Sequence, residues 1–287
     1  MRKLWIALAG AMIAALAVVG VAVAANVYEV DIADSTNGKG SLTRPVPASL
    51  DFGYEVSDDQ GQRPFVIRQY RIAAEGLYTY PASRPKCSFD AATNPAALEA
   101  SQLSAGCRRA IVGDGSITNE AGAPNDRNQK LPCEVMLTLI NISSGDPRYP
   151  SDARQIRRRG GMAIRIDTHQ PEGSRCPIPV HEALAAPFFN VKIQGIATSE
   201  LRFPVPETLA HPGGLDNSVV DVASHIDKKT GRVGVRRGKP SPMSKSGATK
   251  RRVGFYSLVG RKGRTRTVRV TFVDESGAKF TATRQAR

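Results

Sequence analysis

Apolar and charged residues alternate in many short segments of the chain, and this pattern constrains the fold most. In the first such segment, Tyr28, Val30 and Ile32 alternate with Glu29 and Asp31. A period of two places apolar side chains on one face and charges on the other, which is typical of a half-buried β-strand. The pattern predicts about twelve strands, which lie at 26–33, 50–56, 66–73, 110–118, 134–142, 162–167, 189–196, 201–205, 219–226, 253–259, 267–274 and 278–283.

The spacing of these segments predicts the fold class. Short strands separated by turn residues favour an all-β protein with an immunoglobulin-like β-sandwich, either one large sandwich or two closely packed ones. Segment 134–142 is apolar on both faces, so we expect it in the middle of a sheet. A helix is predicted at 94–103, where Asn94 caps the first turn and Pro95 opens it, and a second, weaker one at 181–185.

Residues 1–25 have the pattern of a targeting segment. Arg2 and Lys3 precede an uncharged, largely apolar run at 4–25, which ends in small residues of the kind that precede a signal-peptidase cut. The run is also long enough to be an uncleaved membrane anchor. In both cases we expect 26–287 to lie outside the cytoplasm, secreted or at the cell surface. The protein then meets a membrane only through 4–25, if that run is uncleaved.

The four cysteines, Cys87, Cys107, Cys133 and Cys176, form an even set. In an oxidising compartment an even set favours disulfides. Of the three pairings, we expect Cys87–Cys107 and Cys133–Cys176, because joining sequence neighbours makes the smallest demand on topology. No two cysteines have the C-x-x-C spacing of a zinc site, and we expect neither a metal nor a cofactor.

Basic residues concentrate towards the C-terminal end. The chain has 40 Lys and Arg against 26 Asp and Glu, yet 18 of the basic and only 2 of the acidic residues lie in 228–287. Segment 228–252 holds ten basic and no acidic residues, with interspersed Gly, Ser and Pro, so its composition predicts a mobile loop. The remaining 253–287 is too short to fold alone. We therefore expect a β-sandwich body at 26–227 on which the strands of 253–287 dock.

This basic loop is the strongest candidate for a binding site. Positive charges on a flexible segment attract polyanions, here an anionic cell-surface polymer or lipid headgroups. Nucleic acid is not expected as a natural partner outside the cytoplasm. The alternative is a solvated insertion that aids solubility. The candidate polyanion-binding residues are Lys228, Lys229, Arg232, Arg236, Arg237, Lys239, Lys245, Lys250, Arg251 and Arg252.

The catalytic motifs in the sequence lack the setting that their chemistry needs, so we expect no catalytic residue among them. Ser83 and Lys86 form an S-x-x-K string, and 229–231 is a K-T-G string, a combination found in serine β-lactamases and penicillin-binding proteins. That serine must open a helix so that the lysine one turn later faces it, whereas Pro85 and Cys87 favour a loop. The sequence contains neither G-x-S-x-G nor H-E-x-x-H, and its four histidines form no pair at i, i+4 spacing.

Two function classes therefore stay open. The leading expectation is a non-enzymatic extracellular structural or binding module that contacts anionic surface polymers through the basic loop. The alternative is a secreted hydrolase acting on cell-wall or matrix material. A deep pocket with converging Asp, Glu or His side chains would favour the enzyme, whereas a basic ridge without such a pocket would favour the module.

Several short motifs follow one another in a fixed order. They are Pro45-Val46-Pro47 before Leu50-Asp51-Phe52-Gly53-Tyr54, Cys87, Gly106-Cys107 before Val112-Gly113-Asp114-Gly115, Pro132-Cys133, Cys176-Pro177, His211-Pro212-Gly213-Gly214-Leu215-Asp216-Asn217 and Gly254-Phe255-Tyr256. In this order they resemble an uncharacterised family of secreted, disulfide-containing β-rich proteins from high-G+C bacteria. The resemblance covers most of 26–287 and implies an extracellular sandwich-like fold, but no activity and no site residues.

Overall fold

The computed structural model describes residues 26–34, 40–97, 99–168, 176–177, 179–260 and 266–286. Most of these residues lie in strands, so the predicted all-β class is confirmed. The strands are β1 (Asn26–Asp34), β2 (Val46–Ala48), β3 (Leu50–Asp58), β4 (Ile67–Ala74), β5 (Leu77–Thr79), β6 (Ile111–Gly122), β7 (Leu131–Ile142), β8 (Gly161–Asp167), β9 (His181–Ile193), β10 (Ile196–Pro204), β11 (Asp216–Ile226), β12 (Thr230–Arg236), β13 (Lys239–Pro240), β14 (Lys250–Gly254), β15 (Tyr256–Leu258), β16 (Arg266–Asp274) and β17 (Lys279–Ala286). The short α-helices are α1 (Phe89–Ala92), α2 (Ala105–Ala110), α3 (Pro150–Arg159) and α4 (Glu207–Ala210).

One large antiparallel sheet of 11 strands dominates the structure, in the order β1-β3-β11-β6-β7-β8-β9-β10-β4-β16-β17. Its two edge strands come together. Tyr28 of β1 stacks on Phe280 of β17 with ring centroids 4.7 Å apart, and Arg284 Nη1 donates to the Val30 carbonyl oxygen at 2.8 Å. The sheet is thus a nearly closed barrel, and the immunoglobulin-like sandwich predicted from the sequence is not confirmed.

Strand β7 shows why some strands of this barrel are apolar on both faces. Leu137 and Leu139 belong to the main core inside the barrel, whereas Ile140 and Ile142 belong to a second cluster on its outer face. The outer cluster is covered by the chain between β5 and β6 and by α3. The prediction that 134–142 lies in the middle of a sheet is therefore confirmed.

Two disulfides join the cysteines in the predicted pairing. Cys87 is bonded to Cys107, which closes the segment that covers the outer cluster, and Cys133 of β7 is bonded to Cys176. Two disulfides indicate an oxidising, extracytoplasmic environment. Within the described ranges no helix is long and apolar enough to cross a membrane. The predicted targeting segment at 1–25 lies outside those ranges.

The predicted helix at 94–103 is wrong. Among the described residues of this stretch, helical structure is limited to a 3₁₀ turn at Ala100–Gln102. The reason is the guanidinium of Arg165 on β8, which is buried beneath this segment and donates to the carbonyl oxygens of Asn94 and Ala97. The Asn94 carbonyl oxygen thus accepts from Arg165 and from the Ala97 amide, three residues further along, and the Ala97 carbonyl oxygen accepts from Arg165.

The weaker helix predicted at 181–185 is also wrong, because these residues open β9. The two faces of this strand cannot be told apart in the sequence, because both carry apolar residues and several of these are alanine. Ala183 and Ala185 face the outer cluster, while Leu184 faces the barrel interior. In such a strand the apolar content of both faces removes the period-two signal.

The C-terminal strands are part of the barrel and of a small sheet beside it. Strand β16 pairs with β4 and β17, and its Val268, Val270 and Phe272 are fully buried. Strand β15 lies between β2 and β5 in a three-stranded sheet. A second three-stranded sheet, in the order β13-β12-β14, contains most of the segment predicted to be a mobile loop.

Candidate anion-binding surface

The basic segment 228–252 forms regular structure where the sequence analysis predicted a loop. Strand β12 pairs antiparallel with β13 and β14, and the turn between β12 and β13 consists of Arg237 and Gly238, which both have positive φ. Such two-residue turns connect tightly paired strands. We call this three-stranded unit the basic sheet. Its existence contradicts the assignment of 228–252 to an unstructured insertion.

One face of the basic sheet is apolar and buried. Val233 and Val253 are both 0% exposed and pack against Tyr80 and Ala82. Gly231 lies on the same face, where a Cβ atom would stand 1.8 Å from the carbonyl oxygen of Ser83. This contact explains how so basic a segment becomes ordered, since the apolar cover is supplied by residues about 150 positions earlier in the chain.

The opposite face of the basic sheet is cationic. In antiparallel pairs, residues directly opposite each other point to the same side, and so do alternate residues of one strand. Arg232 lies opposite Arg252, and Arg236 lies opposite Lys239. These four residues are exposed and share one face with Lys250, which lies opposite Gly234. We call these five side chains the cationic face.

The cationic face contains no acidic residue and is poor in ion pairs. Of the ten predicted polyanion-binding residues, Lys229 alone forms an ion pair with another described residue, at 2.6 Å between its Nζ and Asp227 Oδ2. Arg252 Nε donates to the Thr230 hydroxyl at 2.9 Å instead. Lys228, Arg237 and Lys245 are exposed nearby, while Lys229 and Arg251 are half-buried. The charges of this surface are therefore available to an external anion.

Further basic residues flank the sheet. Burial, and secondarily the positive charge of Lys245, lowers the pKa of Lys86. On the other side, α3 ends in Arg157, Arg158 and Arg159. A Cβ atom added at Gly160, directly after this helix, would lie 3.5 Å from Sδ of Met243 in the connection between β13 and β14. The basic surface thus extends beyond the segment identified from the sequence.

The S-x-x-K and K-T-G strings are brought close together, but without the geometry of a serine nucleophile. Thr230 and Gly231 open β12 directly after Lys229, contrary to the loop that was expected, and Gly231 packs on Ser83. Ser83 ends a buried 3₁₀ turn, and Arg84 after it is extended, so Lys86 does not follow the serine on a helix. The Ser83 hydroxyl is buried and has no hydrogen-bond partner among the described residues.

A second site, which sequence reasoning missed, lies on the outer face of β3, β6 and β11. It is a pocket of about 540 Å³ whose lining includes Asp31, Asp51, Asp114, Ser116 and His225. The imidazole of His225 is hydrogen-bonded to Asp51, which lies opposite it in the neighbouring strand. This hydrogen bond, more than the charges of the surrounding aspartates, raises the pKa of His225. Residues of β1, β3, β6, β7 and β11, which are distant in sequence, form the pocket, so no local motif reveals it.

The remaining described histidines also have carboxylate partners. His181 Nδ1 lies 3.3 Å from Asp167 Oδ1. His211 Nδ1 lies 2.9 Å from Asp216 Oδ1, and its Nε2 lies 3.5 Å from Glu275 Oε2. The His211 group could ligate a cation, but the other oxygen of Asp216 is bonded to Arg63, so the contacts equally form an ion-pair network. His169 lies outside the described residues.

Comparison of the chain with protein-family models, curated proteins and solved structures found no significant match. The resemblance to a family of secreted β-rich proteins therefore stays a prediction.

Proposed function

We propose that the protein is an extracellular binding module that attaches to an anionic surface polymer through the cationic face. The observation that carries this proposal is the alignment of Arg232, Arg236, Lys239, Lys250 and Arg252 on one side of an ordered sheet. A surface shaped only for solubility usually interleaves charges of both signs. Here cations stand directly opposite one another across both strand pairs.

Such an arrangement is unfavourable without a ligand, which supports the proposal. Like charges directly opposite each other in neighbouring strands destabilise a sheet. A polyanion removes this repulsion and releases its own condensed counterions when it binds. The buried contacts of Val233 and Val253 hold the cations in place against their repulsion, so the surface is organised before the polymer arrives.

The dimensions of the cationic face favour a polymer over a small anion. Arg232 and Arg236 are four residues apart on one strand, which corresponds to roughly 13 Å along the sheet. The ligand therefore needs anionic groups repeated over at least that distance, as in a chain of phosphates or uronic acids. Anionic lipid headgroups also present repeated charges, in this case on a plane. Comparing binding to a polymer with binding to vesicles separates these two sources of charge.

The test compares retention on phosphocellulose and heparin for the full chain and for a triple variant, Arg232→Gln, Arg236→Gln and Lys239→Gln. We expect the triple variant to elute at clearly lower salt. Its logarithmic salt dependence should also be shallower by up to about 3, because each lost phosphate contact reduces the slope by about 1. Vesicles with and without anionic lipid form the second arm.

A matched control removes the same charge elsewhere. Arg44, Lys192 and Lys279 are exposed and lie outside the basic sheet, and their replacement by Gln also lowers the net charge by three. Equal loss of retention in both triple variants would show that net charge alone governs binding, and the proposal would be wrong. Binding to anionic vesicles but not to soluble heparin would assign the surface to a membrane.

Hydrolysis of cell-wall or matrix material is a second candidate, favoured by the pocket that holds His225. An imidazole oriented by Asp51, in a pocket that Ser116 also lines, has the residue types of acid–base chemistry. The measurement is turnover of p-nitrophenyl acetate and of labelled peptidoglycan by the full chain, His225→Gln and His181→Gln. Loss of turnover in His225→Gln alone supports this candidate, and absence of turnover in the unaltered protein removes it.

A further inference from the structure

The interior of the barrel is incompletely filled. It encloses a cavity of about 140 Å³ between β3, β4 and β6 to β11, with walls formed by side chains such as Leu139, Ile164, Leu201 and Val222. An apolar cavity of similar size, about 150 Å³, stays free of water and binds benzene in another protein. Unfilled apolar volume destabilises a fold in proportion to its size, so an occupant of this cavity would stabilise the barrel.

The walls of the cavity are uncharged. Among the described residues that line it there is no Asp, Glu, Lys, Arg or His. Two lining tyrosines, Tyr54 and Tyr70, are buried, and burial raises the pKa of both hydroxyls, which therefore stay neutral at physiological pH. Moving an ionised ligand into such surroundings is costly unless it finds a partner. The cavity consequently selects for neutral molecules.

Two polar atoms in the wall lack a hydrogen-bond partner among the described residues, Oδ1 of Asn119 and the hydroxyl of Tyr70. Asn119 of β6 is 4% exposed, and its Oδ1 atom can only accept a hydrogen bond. Two other polar side chains of the wall have partners: the Ser199 hydroxyl is hydrogen-bonded to Thr79, and the Asn217 amide donates to the Leu209 carbonyl oxygen. A buried acceptor without a donor is unfavourable, so a ligand that carries one donor would complete this site.

A small gap adjoins the same end of the barrel. It is bordered by Cys133, Pro177 and Leu215, and it shares Val180 and Asn217 with the cavity wall. Asn119 lies directly opposite Cys133 across the β6–β7 pair. The unpaired Asn119 acceptor therefore lies at the end of the cavity that this gap adjoins.

From these observations we propose that the barrel interior is a binding site for a small, neutral, largely apolar molecule with one hydroxyl group, of the class of phenols and cyclic alcohols. Its apolar ring would occupy the space between Leu139, Ile164 and Val222, and its hydroxyl would donate to Asn119 Oδ1. This site is separate from the cationic face and does not depend on the function proposed for it.

The experiment measures binding of benzene, phenol and benzoate to the full chain by calorimetry, with methyl NMR to locate the ligand. We expect phenol and benzene to bind with shifts concentrated on cavity-lining methyl groups, and benzoate not to bind. In Asn119→Leu, phenol affinity should fall about tenfold, the usual effect of one lost hydrogen bond, while benzene affinity stays unchanged. Filling the space with Leu139→Phe should abolish binding of both.

Three results would overturn the inference. They are absence of benzene and phenol binding in the unaltered protein, benzoate binding as tightly as phenol, and phenol affinity that is the same in Asn119→Leu. If Leu139→Phe does not fold, the comparison of the three ligands on the unaltered chain still decides whether the cavity binds neutral molecules.

Discussion

Arg63 and Asp216 form a buried ion pair across 153 residues of sequence, with 2.9 Å between Nη2 and Oδ2. Arg63 is 0% exposed, and its guanidinium also donates to the carbonyl oxygens of Ala123 and Gln129 in the connection between β6 and β7. One side chain therefore ties this connection and the start of β11 to the segment between β3 and β4. No sequence pattern indicates the pair.

We expect Arg63→Met to lower the free energy of unfolding by about 3–5 kcal/mol, because it removes the cation that neutralises the buried Asp216 carboxylate and leaves only the contact with His211. The measurement is urea denaturation followed by circular dichroism. Lys192→Met, at an exposed position, is the control and should change stability by less than about 0.5 kcal/mol. A similar small change in Arg63→Met would contradict the role assigned to the ion pair.

The disulfides should contribute unequally to stability. They close segments of 20 and 43 residues, for which the chain-entropy model gives about 3 and about 4 kcal/mol. We therefore expect Cys133→Ala/Cys176→Ala to be the less stable double variant and Cys87→Ala/Cys107→Ala the more stable one. Peptide mapping without reductant checks the pairing, and a Cys107–Cys133 peptide would contradict it.

The titration of His225 tests the pocket on the outer face of the barrel. Its hydrogen bond to Asp51 raises its pKa above 6.5, so the pair stabilises the fold below that pH and loses this contribution as pH rises through the folded-state pKa. Asp51→Asn should lower the pKa measured by NMR. It should reduce stability between about pH 5 and 6.5 and have little effect above the folded-state pKa. An unchanged pKa in Asp51→Asn would disprove the hydrogen bond.

The sequence predicts the strands well where one face is polar. The alternation in β1 and β3 locates both strands to within two residues, because each has charges on its outer face. The same alternation is present in Arg232-Val233-Gly234-Val235-Arg236. The basic composition of the surrounding segment nevertheless predicted a mobile loop. The strand forms because Val233 is covered by Tyr80, a residue distant in sequence, and no local pattern indicates this contact.

Helix α3 had local signals that the sequence analysis did not use. Pro150 occupies the first turn, Asp152 lies in the acidic position near the N-terminus, and Gly160 ends the helix with φ of 83°. These are ordinary start and stop signals. The barrel closure and the interior cavity, in contrast, have no local sequence signal. The closure depends on the contact between Tyr28 and Phe280, and the cavity depends on side-chain volumes from many strands.

We expect the packing of the basic sheet to contribute to the free energy of unfolding. Val233 is fully buried against Tyr80 and Ala82, so Val233→Ala should cost about 2 kcal/mol. Val235 is only partly buried on the same strand, and Val235→Ala should cost less. If both variants have the stability of the unaltered protein, the segment does not pack as described, and the cationic face would lose its rigid support.

The last prediction concerns the C-terminal strands. Phe255, Leu258 and Phe272 are each 0% exposed, and β16 is hydrogen-bonded to β4 inside the large sheet. A chain that ends at residue 252 lacks these side chains and leaves β4 as an open edge, so it should lose its cooperative transition and aggregate. A chain that ends at residue 284 keeps the Arg284 contact to Val30 and should melt within a few degrees of the full chain. Differential scanning calorimetry compares the three proteins. An unchanged melting midpoint in the chain that ends at residue 252 would mean that the body folds without β15, β16 and β17, and the prediction would be wrong.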